Sequence, residues 1–200
     1  IVTFSTQMDN LIKLVESHKT IFNTRDLAII WNITDHQRLK NQIYYWTKNN
    51  KLIRLHHGIF ALNQQYDHLE LAGKLCYPSY ISLETVLVEK GIIFQNVQSI
   101  TSISNKTRFI TCQDQRYSYH KIKDKVLWNR QGIDEKENYV IATTERAFLD
   151  TIYLYGNYYF DNLLPIDWDL AKKLSIIYDN NSLNNRLLSY QNEYARSKIA

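Results

Sequence analysis

The sequence predicts an α+β fold in which helices and strands are segregated along the chain. Three observations carry this. Apolar residues recur at helical spacing through Met8 to Trp46 and again from Thr144 to Arg196. Between Val97 and Ala142 the pattern changes to short runs rich in Thr, Ile, Tyr and Phe, separated by turn dipeptides. Two prolines and five glycines in 200 residues, with 44% apolar and 22% charged side chains, leave ample material for a core and exclude a disordered or collagen-like chain. At ~100–150 residues per domain, one or two domains are expected.

The first predicted helix covers Met8 to His18, with Met8, Leu11, Ile12, Leu14 and Val15 close to a 3.6-residue period. Thr24, followed by Arg25 and Asp26, is an N-cap candidate for a second helix of about two turns whose apolar face is Leu27, Ala28, Ile30 and Trp31. Asn32 and Ile33 form a tight turn. Thr34-Asp35-His36-Gln37 then fits a capping box that opens a third helix to about Asn49, with Leu39, Ile43 and Trp46 facing inward. Two β-rich runs, Lys51 to Leu55 and Ile59 to Asn63, flank His56-His57-Gly58 and predict a hairpin. Helix, short helix, sharp turn, longer helix, hairpin is the order of a winged helix-turn-helix. The first domain is assigned to 1–63.

Residues 64–200 are expected to form a second, mixed α+β domain. A helix over Tyr66 to Leu75 precedes Tyr77-Pro78, and Ser82 can cap a helix from Leu83 to Lys90 that Gly91 terminates. Val97 to Ile103, Thr107 to Cys112 and Arg116 to Ile122, with Val126 to Trp128 and Tyr139 to Ala142, predict an antiparallel, meander-like sheet around a polar loop at Asp134 to Asn138. C-terminal helices follow: one opened by Thr144, one capped by Asp167 and running to about Tyr178, and one from Ser182 to about Arg196.

Charge is distributed unevenly. Residues 1–63 hold eight basic against four acidic side chains, so the whole net charge of +4 lies there, while the remainder is balanced. A basic face raises the local concentration of polyanions. With Leu39, Ile43 and Trp46 inward, the other side of the third helix collects Gln37, Asn41, Tyr44 and Lys48, with Arg38 and Tyr45 on one flank and Lys40 on the other. Asn and Gln pair bidentately with adenine, Arg with guanine, and Lys and Tyr suit phosphates. Lys51, Arg54, His56 and His57 on the hairpin would meet the flanking backbone. A solvated helix face and an ordinary exposed turn are the plain alternatives.

Other chemistry has little support. Cys76 and Cys112 lie far apart without metal-ligand spacing, which predicts two buried reduced thiols, and the adjacent His56 and His57 diverge too much to share a metal. No nucleophile elbow, P-loop or dinucleotide fingerprint occurs, so no cofactor and no catalytic residue is expected. Asp134-Glu135-Lys136 matches only the end of a metal-dependent nuclease pattern, and leaves a DNA-processing enzyme as one rival. Arg146 and Asp150 read as a helix-stabilising pair. The bunched Tyr153, Tyr155, Tyr158 and Tyr159 read as core or as an interaction surface. A protein-interaction module that uses the winged helix as an adaptor is the second rival. No apolar run reaches the ~18 residues of a membrane span, and the first twenty residues lack a signal-peptide pattern, so a cytoplasmic location is expected. Ile1 at the first position suggests a trimmed chain or a missing start.

Three stretches in order carry a family resemblance: Leu52-Ile-Arg-Leu-His-His-Gly-Ile-Phe-Ala-Leu, then Leu71-Ala-Gly-Lys-Leu with Tyr80-Ile-Ser-Leu-Glu-Thr-Val-Leu and Gly91-Ile, then Ala142-Thr-Thr-Glu-Arg-Ala-Phe-Leu-Asp150. Across roughly residues 5 to 155 the chain resembles the antitoxins of the AbiE abortive-infection systems. The resemblance implies a winged helix-turn-helix repressor of its own toxin-antitoxin operon, fused to a domain that counters a nucleotidyltransferase-like toxin without a stable complex. It implies double-stranded DNA of its own promoter as partner, with contacts at Gln37, Arg38, Asn41, Tyr44, Lys48, Arg54 and His57. The wing departs from the family pattern, with His57 in place of Arg or Lys and Phe60 in place of Tyr.

Overall fold

The computed structural model describes residues 4–197, with side chains from Met8 to Arg196. It is mixed α+β with two sheets, and divides into compact units at 1–75 and 76–200. The division falls beyond the expected 63/64 boundary because the helix His68–Leu75 is tied back to the first unit. There the Glu70 carboxylate accepts from the Thr20 N–H and hydroxyl, each at 2.8 Å, and Lys74 pairs with Asp26 at 2.7 Å.

In the first unit the elements are α1 (Phe4–Glu16), β1 (Ile21–Asn23), α2 (Thr24–Ile30), α3 (His36–Lys48), β2 (Ile53–His56), β3 (Ile59–Ala61) and α4 (His68–Leu75). The strands form an antiparallel sheet in the order β1-β3-β2. Two caps differ from the sequence expectation. Asn23, not Thr24, caps α2 in a reciprocal box with Asp26, while Asp35, not Thr34, caps α3 by accepting the Arg38 N–H at 2.6 Å. Thr24 is already the first residue of α2 and its hydroxyl turns to Gly58 O, whereas Asp35 stands one residue closer to α3 than Thr34 and reaches its first-turn N–H.

Both α2 and α3 end in the same way. Asn32 (φ 52°) and Asn50 (φ 53°) adopt the left-handed conformation that a short polar side chain tolerates. The Ile33 N–H bonds Ala28 O at 2.9 Å and the Lys51 N–H bonds Trp46 O at 2.9 Å, closing the last turns in Schellman fashion. These stops set the angle between α2 and α3 and launch the hairpin. The core beneath joins Leu14, Phe22, Leu27, Trp31, Ile33, Leu39, Ile43, Trp46, Leu52 and Phe60, with Trp31 and Trp46 ring centroids 5.0 Å apart.

The second unit contains β4 (Ser79–Ile81), α5 (Glu84–Glu89), β5 (Ser99–Ser104), β6 (Arg108–Cys112), β7 (Gln115–Lys121), α6 (Asp124–Leu127), β8 (Ile133–Glu135), β9 (Val140–Ala142), α7 (Thr144–Leu154), α8 (Trp168–Ser175) and α9 (Asn181–Ser197), with a 3₁₀ turn over Ile176–Tyr178. The sheet order is β6-β7-β5-β4-β9-β8. It is not the antiparallel meander expected, because β5 runs parallel to β7 and β4 parallel to β9. The buried Tyr117 and Tyr119 draw β7 into the sheet interior, which leaves β6, with Arg108, Phe109 and Thr111 exposed, at the edge.

Three further expectations are corrected. Val126 and Leu127 belong to the short helix α6, with Trp128 as its C-cap, and their buried side chains sit on one turn instead of alternating. Asp134 and Glu135 lie on the edge strand β8 and not in a loop. Ser82 does not cap α5, since Leu83 occupies that position with φ 59° and no side-chain bond, and the Ser82 hydroxyl goes to Asp150 instead. Cys76 and Cys112 are both buried and neither is in a disulfide, as the sequence indicates. Among the described residues no helix is long and apolar enough to cross a membrane.

Candidate nucleic-acid interface

Helix α3 separates its two faces sharply. Leu39, Gln42, Ile43 and Trp46 are buried, and Gln37, Arg38, Lys40, Asn41, Tyr44, Tyr45 and Lys48 are all exposed. Each buried large apolar side chain is worth about 1.5–3 kcal/mol. That anchoring fixes the helix's rotation, so the polar face stays outward as a set. Gln42, which the sequence pattern did not place, is taken into the core with its side-chain nitrogen lacking a hydrogen-bond partner.

The exposed groups are ordered by one another. Gln37 Nε2 donates to Asn41 Oδ1 at 2.9 Å, one helical turn away. That bond uses one of the two Oδ1 lone pairs and leaves Nδ2 free to donate, the arrangement an adenine edge requires. Lys48 Nζ lies 5.9 Å from the Tyr44 ring centroid, and Lys51 Nζ lies 5.8 Å from that of Tyr45, so both ammonium groups are held over aromatic faces.

The hairpin is anchored to the start of α2. Gly58 has φ +70°, and its carbonyl accepts the Thr24 N–H at 3.1 Å. A Cβ there would sit 3.3 Å from Thr24 Oγ1 in a conformation that L side chains rarely adopt, which is why a glycine follows His57. On β2, Arg54 is exposed with its guanidinium 5.4 Å from the Phe60 ring centroid. His56 and His57 are exposed as well, next to a register shift between Arg54 and His56. The first unit therefore brings the helix residues onto one face and places Arg54, His56 and His57 on a separate hairpin projection. The basic side chains there can neutralise phosphates, and the amides and Arg38 can read base edges.

Within this unit, Asp26 joins Lys74 at 2.7 Å and Lys19 at 3.3 Å. Burial alone would raise the Asp26 carboxyl, but Lys74, the Asn23 N–H and Lys19 outweigh it and hold the group below the usual carboxylate range. Glu70 goes the other way, because burial outweighs its bonds from Thr20.

The second unit holds a polar centre that the sequence pattern did not reveal. Arg146 and Asp150 on α7 are completely buried, with Nε 3.5 Å from Oδ1. Asp150 accepts hydroxyl bonds from Tyr80 at 3.0 Å, Ser82 at 2.8 Å and Tyr178 at 2.6 Å. Arg146 donates to the carbonyls of Gln131 at 2.9 Å and Val126 at 2.7 Å and to the Tyr80 hydroxyl at 3.1 Å. These bonds join α7 to β4, α6 and the 3₁₀ turn. Burial next to the Asp150 charge pushes both tyrosine hydroxyls well above the ordinary range, so both stay protonated and donate to Asp150, while the Tyr80 oxygen also accepts from Arg146. The sequence signal was present: an Arg and an Asp one turn apart, amid Ala147, Phe148, Leu149 and Ile152, have no exposed face to occupy.

The acidic run on β8 is drawn into local ion pairs, Glu135 with Arg130 and Asp134 with Lys136 at 3.7 Å. Adjacent residues on a strand point to opposite faces, so Asp134 and Glu135 do not converge on one point.

No protein-family model matches the chain, and no curated protein matches it significantly.

Proposed function

We propose that the chain is a DNA-binding transcriptional regulator whose first unit is a winged helix-turn-helix. In this reading α3 enters a major groove and the β2–β3 hairpin is the wing. The observation that carries it is the outward set of Gln37, Arg38, Asn41, Tyr44 and Lys48 on a helix locked by its buried face. Base-reading and phosphate-binding side chains occur together there, as major-groove recognition needs. The resemblance to AbiE-type antitoxins extends the proposal: the protein represses its own toxin-antitoxin operon and counters a nucleotidyltransferase-like toxin, acting in the cytoplasm. The test is binding of Arg38→Ala to the duplex upstream of its gene and to a random duplex. Loss on the first alone supports base reading, and equal loss on both refutes it for that residue.

One observation favours a second reading. Met8, Leu11 and Val15 of α1 are exposed and line an apolar groove of about 370 Å³ with Trp46 and Leu62. A protein adaptor would use such a surface. Salt-insensitive capture of a partner protein, with no affinity for duplex DNA, would favour the adaptor.

A further inference from the structure

The second unit has its own concentration of charge, apart from α3. Between Ser99 and Lys123 the chain carries Lys106, Arg108, Arg116, Lys121 and Lys123 against Asp114 alone, although 64–200 as a whole is neutral. All five basic side chains are exposed on or beside the β6–β7 hairpin.

The register places Phe109 opposite Ser118 and Thr111 opposite Arg116, so Phe109, Arg116 and His120 share one face of the sheet. On that face a strip of rings runs from the edge inward. Phe109 and His120 centroids are 6.3 Å apart, His120 and Tyr155 5.7 Å, and Tyr155 and Tyr158 5.9 Å. Phe109 is 71% exposed and Tyr155 39%. Tyr158 also lines a cleft of about 570 Å³ that holds Tyr159, Arg186 and Tyr190, so the strip leads into a second aromatic site with a cation. The Tyr190 hydroxyl grips the Tyr158 backbone, donating to its carbonyl at 2.6 Å and accepting its N–H at 2.8 Å. Glu84 lies beside Tyr155, Tyr158 and His120 and Asp161 beside Tyr158, while Arg116 is the strand cation that shares the face of Phe109 and His120; Arg108 and Lys121 alternate to the other face of the same hairpin.

An exposed Phe on an edge strand among arginines and lysines is poorly explained by packing. Aromatic faces beside a basic border are what single-stranded nucleic acid requires, because unpaired bases stack on rings while cations follow the phosphates. We propose that the Phe109–His120–Tyr155–Tyr158 strip and its basic hairpin bind a single-stranded nucleic acid through base stacking. This site is separate from the duplex reading of α3 and does not depend on it. Burial lowers the His120 pKa, so at neutral pH this ring serves as an uncharged stacking surface.

The test is fluorescence anisotropy of labelled oligouridylate and oligothymidylate with the full chain at ~50 and ~200 mM salt. Phe109→Ala and Arg116→Ala alter exposed side chains, and circular dichroism verifies that both variants fold. The proposal expects oligonucleotide binding that weakens with salt, falls about tenfold in Phe109→Ala and also falls in Arg116→Ala, with duplex affinity unchanged. The two oligonucleotides show whether the RNA or the DNA strand is preferred. Failure of the wild type to bind either oligonucleotide overturns the proposal. So does binding that Phe109→Ala leaves intact, or that Arg38→Ala and Lys48→Ala on α3 abolish.

Discussion

Gln37 and Asn41 are joined across one turn of α3 by a hydrogen bond of 2.9 Å from Nε2 to Oδ1. The bond orients the Asn41 amide before any partner arrives. If Asn41 reads a base, Gln37→Ala and Asn41→Ala will weaken binding to the upstream duplex at the same base pair. Each will cost about 1–3 kcal/mol, and the double variant will lose less than the two single losses combined. Competition with single-base operator variants measures this, and additive losses at different positions would refute the coupling.

Lys48 lies over the Tyr44 ring at the end of the same face. As a phosphate contact, its replacement by Ala will weaken cognate and random duplexes alike. It will also lower the slope of log affinity against log salt by about one. An unchanged slope would place Lys48 away from the backbone.

Arg146 and Asp150 make the second unit depend on a buried ion pair. Asp150→Ala leaves an uncompensated guanidinium and is expected to cost about 3–5 kcal/mol in urea unfolding. Replacing both residues, as Arg146→Met with Asp150→Leu, removes the uncompensated charge and will recover much of that loss. A double variant as unstable as Asp150→Ala would show that the hydroxyls of Tyr80 and Tyr178, and not the charges, hold the centre.

Asp26 predicts a pH dependence in the first unit. Its folded pKa lies below the unfolded value of ~3.9, so its contribution is complete above the unfolded pKa and is lost as pH falls through the folded one. The stability gap between wild type and Asp26→Asn will therefore be constant from about pH 5 to 7 and will close below about pH 4. A gap that persists into stronger acid would mean that Lys74 and Lys19 contribute little through charge.

Helical periodicity made α3 legible, since Leu39, Ile43 and Trp46 alone determine which side chains face outward. The hairpin was legible from Gly58 and its β-rich flanks. Caps were displaced by one residue because Asn23 and Asp35 compete with neighbouring threonines for the same N–H groups, a contest that composition does not resolve. The strand order was not legible either. Turn dipeptides indicate where a chain reverses, but the buried Tyr117 and Tyr119 determine that β7 lies between β5 and β6. Of the Asp150 centre only the i,i+4 spacing of Arg146 and Asp150 was legible; its partners at positions 80, 82 and 178 come from distant parts of the chain, which no local spacing announces.

The most direct measurement is binding of the full chain to the duplex upstream of its own gene, against a scrambled duplex of equal length, at ~50 and ~200 mM salt. The account predicts preferential binding that weakens by orders of magnitude between the two salt concentrations and is lost when the α3 face is replaced. Absence of binding to either duplex would contradict it, leaving the polar face of α3 a solvated surface and the adaptor reading in its place.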